Sequence, residues 1–548
     1  MKARATRRWT CFVTAAALAA GCSEENTART FTADTGVRDT GPSLPDVVDT
    51  GVPTFPDAGG PVDRPVVRTN RDVLRPGVGM EVPGYFDEGQ ASTEAGPTIV
   101  YPQAGTIIPP NLPSFEVHWR PSAGATYYEV AFAGNVTVAR VFTRCTPVGG
   151  GCTLTLAESD LALVATASRG NGELQLTVRA VGNEGGPVVS SAPQTLGVSA
   201  TEFTGGVYWW ASSGSIVRYE FGRPGAQAEL FLRGDPFNCV GCHSLSRDGT
   251  RIAAGRFIPA PAPTQIIDVT TRGNVGAAFG SNFGTFSPDS RWYLSSDGQR
   301  MTLVDAQTGG VAPTGQPPMN AGSMPDWSPM GDRVVFSRSA VMIPLPTGSP
   351  GHSAPADLMV MPWAANALGA PTVLVQAEGF NNYYPSFSPD AQWVLFNRAA
   401  GESYDNRLAE LWITPASGGA PQRLTRADDF NGVTGNSWPK FAPVMATYEA
   451  GGSEPLMWFT FSSRRDYGLR LRQSGEGTAQ LWMAAFRPNR VGTDLVSAPA
   501  FWLPFQNISQ GNHIAQWVTL VRRQECGVDT TCGSNEFCVE GRCVGAPP

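Results

Sequence analysis

Five stretches of this chain repeat one pattern: a Ser-Pro-Asp type turn, then a short apolar run. Leu245-Ser246-Arg247-Asp248-Gly249 precedes Arg251-Ile252-Ala253-Ala254, and Phe286-Ser287-Pro288-Asp289 precedes Trp292-Tyr293-Leu294. Trp327-Ser328-Pro329 precedes Val334-Val335-Phe336, and Phe387-Ser388-Pro389-Asp390 precedes Trp393-Val394-Leu395-Phe396. Phe441-Ala442-Pro443 is a degenerate copy, completed by Met457-Trp458-Phe459-Thr460. The copies start 41, 41, 60 and 54 residues apart. That period holds several strands, and such a unit buries its apolar faces only against its neighbours, which predicts a β-propeller over 205–520. Five copies and one unpaired set of strands predict six blades. Val207-Tyr208-Trp209-Trp210 and Ile216–Phe221 form a hairpin before the first copy, and Ile514–Val518 follows the last. Residues 207–221 and 501–520 are therefore expected to share one closing blade. The Pro-Asp turns read as tight turns, not as catalytic aspartates.

Composition agrees. Charged residues are 16% of the chain, with 62 Gly and 46 Pro, which favours short strands and many turns over helical bundles. The F-S-P-D-G-x-x signature followed by an apolar run resembles the repeats of TolB-like propellers over most of 205–520. That resemblance implies the fold and leaves the function open.

Ahead of the propeller, residues 97–200 read as a strand-rich domain. Phe115-Glu116-Val117-His118-Trp119 alternates, as do Tyr127–Phe132 and Leu174–Val181, with turn residues between. The spacing suggests a sandwich. It resembles a fibronectin type III-like domain with Trp119 as the core aromatic, and His118 reads as a strand residue and not a ligand. Residues 23–96 are rich in Asp, Thr, Gly and Pro, with Asp-Thr-Gly at 34–36, 39–41 and 49–51. This composition reads as a disordered tether, which as a flexible coil would reach roughly 45 Å.

Both ends carry export signals. Lys2, Arg4, Arg7 and Arg8 precede a short apolar run from Cys11 to Ala20. Residues 1–22 therefore read as a secretory signal, too short to span a bilayer permanently. Leu18-Ala19-Ala20-Gly21-Cys22 resembles a bacterial lipobox, with Leu one position farther from the Cys than usual. The resemblance implies lipidation at Cys22 and, through Ser23, sorting to the outer membrane. Arg7-Arg8 does not complete a twin-arginine signal, because Thr10 and Cys11 stand where that motif wants apolar residues. At 524–548 the tail holds Cys526, Cys532, Cys538 and Cys543, a two-disulfide knot with three possible pairings and zinc as the alternative. Cys145 and Cys152 are placed for a local disulfide across a hairpin.

One motif carries chemistry. Cys239-Val240-Gly241-Cys242-His243 spells C-x-x-C-H, the attachment signal of a c-type haem. Two thiols reach two edges of one porphyrin, and the adjacent imidazole becomes an axial iron ligand. A local disulfide or half a zinc site would use the same residues, though no second Cys/His pair lies at finger-like spacing. The motif falls in the crossover entering the first blade; His243 stands where later copies have Gly284, Pro325, Pro385 and Pro439. His513 precedes an inner strand of the last blade, which ring closure makes a neighbour of the first. His513 is thus the first choice as distal iron ligand, His352 the second, and Met319 or Met324 the third. Tyr383-Tyr384 and Asn436-Ser437-Trp438 occupy equivalent crossovers, where packing the channel rim is their simplest role. Asp428 and Asp429 could join a cation site but read more simply as a solvated loop.

The net charge is −7 and no basic run follows the signal, so nucleic acid is not indicated. The chain has no G-x-S-x-G, H-E-x-x-H or Walker A loop, so no catalytic set presents itself. Expected partners are a membrane, through the lipid anchor, and an envelope protein or redox partner. The expected location is the bacterial cell envelope. Two functions stand: a haem-bearing propeller for electron transfer or redox and ligand sensing, and a non-catalytic propeller scaffold for envelope proteins or glycans.

Overall fold

The computed structural model describes residues 68–548, apart from 169–172, 236–238, 258–262, 299, 319–321, 340–341, 345–349, 353–354, 404–405, 430–434, 474–476, 528–530 and 534. The chain is all-β in class, and its larger part is a six-bladed propeller. The inner strands are Cys239–Leu245, Phe283–Phe286, Ser323–Trp327, Asn381–Phe387, Asn436–Thr447 and Asn512–Val518. They follow one another round the ring, and each heads an antiparallel set of strands, those of the third and fourth blades being joined by one parallel pair, Ala356 with Asn381.

The repeat is legible as hydrogen bonding. Ser287 Oγ donates to Asp289 Oδ1 at 2.5 Å and accepts from the Trp292 amide at 3.0 Å. Ser388 does the same with Asp390 and Trp393 at 2.5 and 2.9 Å, and Ser246 with Asp248 and Arg251 at 2.5 and 3.0 Å. Each turn thus locks the inner strand to the second, which is structural work. Two positions before the turn serine, a polar side chain ties its blade to the next. Ser244 Oγ donates to the Gly284 carbonyl at 2.6 Å, and the Trp327 amide donates to Thr285 Oγ1 at 3.3 Å. The Phe387 amide donates to Asp326 Oδ2 at 2.8 Å, and the Phe441 amide to Ser386 Oγ at 3.3 Å.

The ring closes as the unpaired strands require. Gly205–Ala211 pairs with Ser215–Phe221 on one side and with the late strand Asn512–Val518 on the other. Glu229–Leu232 completes that sheet. One part of the expectation is corrected: Phe501–Trp502 pairs with Gln480–Phe486 and so belongs to the fifth blade. Two residues cannot show a period-two pattern, and these two hydrogen-bond to the strand that precedes them.

The N-terminal domain is two packed sheets, one with Thr98–Tyr101, Ser114–Arg120, Thr146–Val148 and Gly151–Ala157, the other built round Tyr127–Ala133, Thr137–Arg144 and Glu173–Gly182. Trp119 is fully buried against Tyr128. A helix, Glu158–Ser168, crosses between the sheets. The tether expectation is corrected at its end. Thr69–Leu74 pairs in parallel with Thr137–Arg144, and the helix Val82–Asp87 buries Val82 and Phe86. Arg140 holds Asp72 and Asp87 together, so these two acidic residues of the expected linker are ion-pair partners of a buried cation.

The sandwich docks on the propeller through a joint the sequence did not announce. His118 is fully buried, bonds Glu116 at 2.7 Å and accepts from the Leu469 amide at 3.1 Å. Tyr467 and Arg470 also donate to Glu116, at 2.9 and 2.7 Å. Burial opposes ionisation of Glu116, but the His118 and Arg470 hydrogen bonds outweigh it and hold the carboxyl at about 2. In the tail, Cys526 pairs with Cys538 and Cys532 with Cys543, which decides among the three pairings and leaves no thiolates for zinc. Cys145 and Cys152 are disulfide-bonded across their hairpin. The tail lies against the closing blade, where Gly545 donates to Glu229 and the Leu230 amide to the Ala546 carbonyl.

Candidate functional site

C-x-x-C-H occupies the first inner strand itself, Cys239–Leu245. Pairing with Arg251–Phe257 runs in register through Gly241 and resumes at Ser244, so a bulge falls on Cys242 and His243. The other inner strands show why. Register shifts bracket Met324, Tyr384, Trp438 and Ile514. These residues have φ of 54°, 50°, 57° and 60°, a left-handed conformation that side chains avoid unless packing compensates. Met324, Tyr384 and Trp438 each stand four residues before the turn residue of their copy, and so do Cys242 and Phe283. A bulge re-aims a side chain. Here the re-aimed Met324, Tyr384, Trp438 and Ile514 join Tyr383 and Phe283, whose strand pairs without a shift, in one buried cluster at the channel. Tyr384 and Trp438 stack with centroids 3.7 Å apart. Cys242 holds the first blade's place in that series.

Cys239 is buried and disulfide-bonded, and Trp210 of the closing blade donates its indole N–H to the Cys239 sulfur at 3.2 Å. Trp210 is also the register partner of His513, with ring centroids 6.0 Å apart. One indole therefore spans the seam between the motif and the imidazole expected opposite it. His513 is 8% exposed. Burial, with the nearby Arg464 charge, pushes its pKa down to about 3, so the ring is neutral at pH 7. Its Nδ1 makes no hydrogen bond among the described residues. His243 is 0% exposed.

The remaining candidates separate. His352 ends a short hairpin strand, Pro350–His352, and its side chain lies outside the described residues, as do Met319 and Cys22. Met324 is in the apolar ring. Asp428 is not in a solvated loop: it is fully buried, accepts from the Leu411 amide and Asn436, and pairs with Arg423. Its oxygens are spent on these donors, so it offers no cation site. Among the described residues, no helix is long and apolar enough to cross a membrane.

No protein-family model matches this chain, and no curated protein matches it. Solved structures to which it is similar include a protein described as TolB from Agrobacterium tumefaciens. That protein is 14% identical over 58% of this chain and 99% of its own, with a TM-score of 0.32. TolB from Acinetobacter baumannii is 12% identical over 64% of this chain and 80% of its own, with a TM-score of 0.37. The blade assignment stands on the strand pairing given above.

Proposed function

We propose that this chain is a cell-envelope lipoprotein, anchored through Cys22, whose propeller carries a covalently bound c-type haem for electron transfer or for redox or ligand sensing. The observation that carries the reading is the Trp210 bridge, which puts Cys239 and His513 on either side of one indole. The donor set fits: two cysteines and an imidazole in C-x-x-C-H, and a second imidazole on the adjoining blade. His243 and His513 would hold the iron, and the group would supply one-electron exchange, or a ligand-binding position if His513 stayed off it. The chain's own residues prepare the place. Burial keeps the His513 lone pair free of a proton. Phe283, Met324 and Trp438 exclude water from the mouth, which favours the less charged redox state. Attachment needs both thiols free, so a dithiol reductant must first open the Cys239 disulfide, leaving as a disulfide itself.

That disulfide also favours a second reading. A buried disulfide at Cys239 beside a buried histidine is a sound structural device, and the propeller would then be a non-catalytic scaffold for envelope proteins or glycans. The two part on one experiment. The full chain is exported in a host competent for haem attachment, then denatured, and its absorption is measured. The haem reading expects a Soret band that survives denaturation in the wild type and is lost in Cys242→Ser, while His513→Ala keeps the band but turns a low-spin spectrum high-spin. A wild type without a Soret band overturns the haem reading and leaves the scaffold.

A further inference from the structure

The opposite mouth of the channel, on the side of the Ser-Pro-Asp turns, holds a cavity of about 200 Å³ touched by all six inner strands. Three charged residues line it: Arg247, Asp326 and Lys440. Lys440 pairs with Asp326, whose other oxygen accepts from the Phe387 amide. Asp326 is thereby bonded through both oxygens, and its charge is shared with Arg247. Arg247 donates to the Trp327 carbonyl at 2.6 Å, a neutral partner, and among the described residues it has no carboxylate within salt-bridge distance. The turn aspartates do not supply one, because Asp248, Asp289 and Asp390 accept from the serine and amide groups of their own turns. Two cations thus face one anion in a partly enclosed space. The walls above them are apolar: Phe286, Phe387, Phe441 and Trp517. For comparison, an apolar cavity of about 150 Å³ accepts benzene.

We propose that this mouth is a binding site for a small organic carboxylate with an apolar, ring-sized body. The carboxylate meets the Arg247 guanidinium, whose remaining N–H groups suit a planar anion. The body lies among the aromatic walls, and Lys440 keeps Asp326 from repelling it. The proposal is independent of the haem reading, which concerns the other mouth.

The sequence supplies its own reporter. Lys440 is the only lysine after Lys2. The full chain, labelled with lysine carrying ¹³C at Cε, therefore gives one signal from this cavity. It is titrated with benzoate, benzamide and acetate. The expected result is a saturable shift of the Lys440 signal with benzoate, at an affinity about tenfold or more above that of benzamide or acetate. Arg247→Gln should lose that preference and Arg247→Lys should keep part of it, with circular dichroism unchanged in both. Equal binding of benzamide removes the charge requirement, and equal binding of acetate removes the apolar one. Either result, an unshifted Lys440 signal, or an unchanged benzoate affinity in a folded Arg247→Gln overturns the proposal.

Discussion

The two mouths of the channel are made from the same six strands, and two residues along each strand separate them in character. Four residues before the turn, the side chains are apolar or aromatic: Phe283, Met324, Tyr384 and Trp438. Two residues before it they are polar: Ser244, Thr285, Asp326, Ser386 and Lys440. A regular strand would send both positions to the same face. In the third, fourth and fifth blades a bulge between them separates their roles, so one position packs round the axis while the other bonds to another blade; in the second blade Phe283 and Thr285 stay in regular register. The apolar mouth is held by packing and the other by hydrogen bonds and charge. Substitutions should therefore cost different amounts at the two ends and respond differently to salt and pH.

The largest effect is expected in the ring. Trp438 is buried and stacked on Tyr384, so Trp438→Ala should destabilise the propeller by about 3–5 kcal/mol in denaturant unfolding. Its φ of 57° adds a sharper test. Trp438→Gly should be no worse than Trp438→Ala, the reverse of their order at an ordinary strand position, because glycine escapes the left-handed strain. A clearly less stable glycine variant would mean the bulge does not store strain there.

At the charged mouth, Lys440→Met should cost about 2 kcal/mol. That is less than the ~3–5 kcal/mol of a fully buried pair, because the lysine side chain is 19% exposed and the Asp326 carboxylate keeps its backbone donor. The loss should shrink in high salt, whereas that of Trp438→Ala should not. Unfolding curves of both variants at two salt concentrations check the contrast. An equal salt response would remove the distinction between the mouths.

The contrast also marks what a single sequence can convey. The turn serines recur with their apolar runs, so the blades were legible, and the unpaired strands at 207–221 and 514–518 pointed to the closure. The ring was present as a fixed offset, since Cys242, Phe283, Met324, Tyr384 and Trp438 each stand four before the turn residue. Nothing in those unlike residues marks a bulge, and only backbone register reveals it. The His118 joint was not legible, because its partner Leu469 lies 351 residues away. Nor was the strand at 69–74, whose parallel partner is distant and whose composition resembles the tether before it. C-x-x-C-H names an attachment chemistry, but the same letters serve a disulfide, and Cys239 is in one here.

The smallest and most specific effect belongs to His513, where the apolar mouth meets the closing seam. A buried neutral imidazole makes folding sensitive to acid. Burial and the Arg464 charge lower its pKa from 6.5 to about 3, so between those values the unfolded chain binds a proton that the folded chain does not. Stability that is fully present above pH 6.5 is thus lost as pH falls, with a slope of about 1.4 kcal/mol per pH unit from this group until pH nears 3. The measurement is the unfolding free energy of the chain without haem at pH 7.5, 6.5 and 5.5, for the wild type and His513→Gln. Glutamine does not titrate, so the variant should lose about 1 kcal/mol less than the wild type between pH 6.5 and 5.5, because at pH 6.5 the unfolded imidazole is only half protonated. The charged mouth has no histidine in its lining, so no comparable imidazole contribution arises there. Parallel curves for wild type and His513→Gln would show that the imidazole takes up its proton in the folded state, and the neutral ligand offered to the first blade would then be absent.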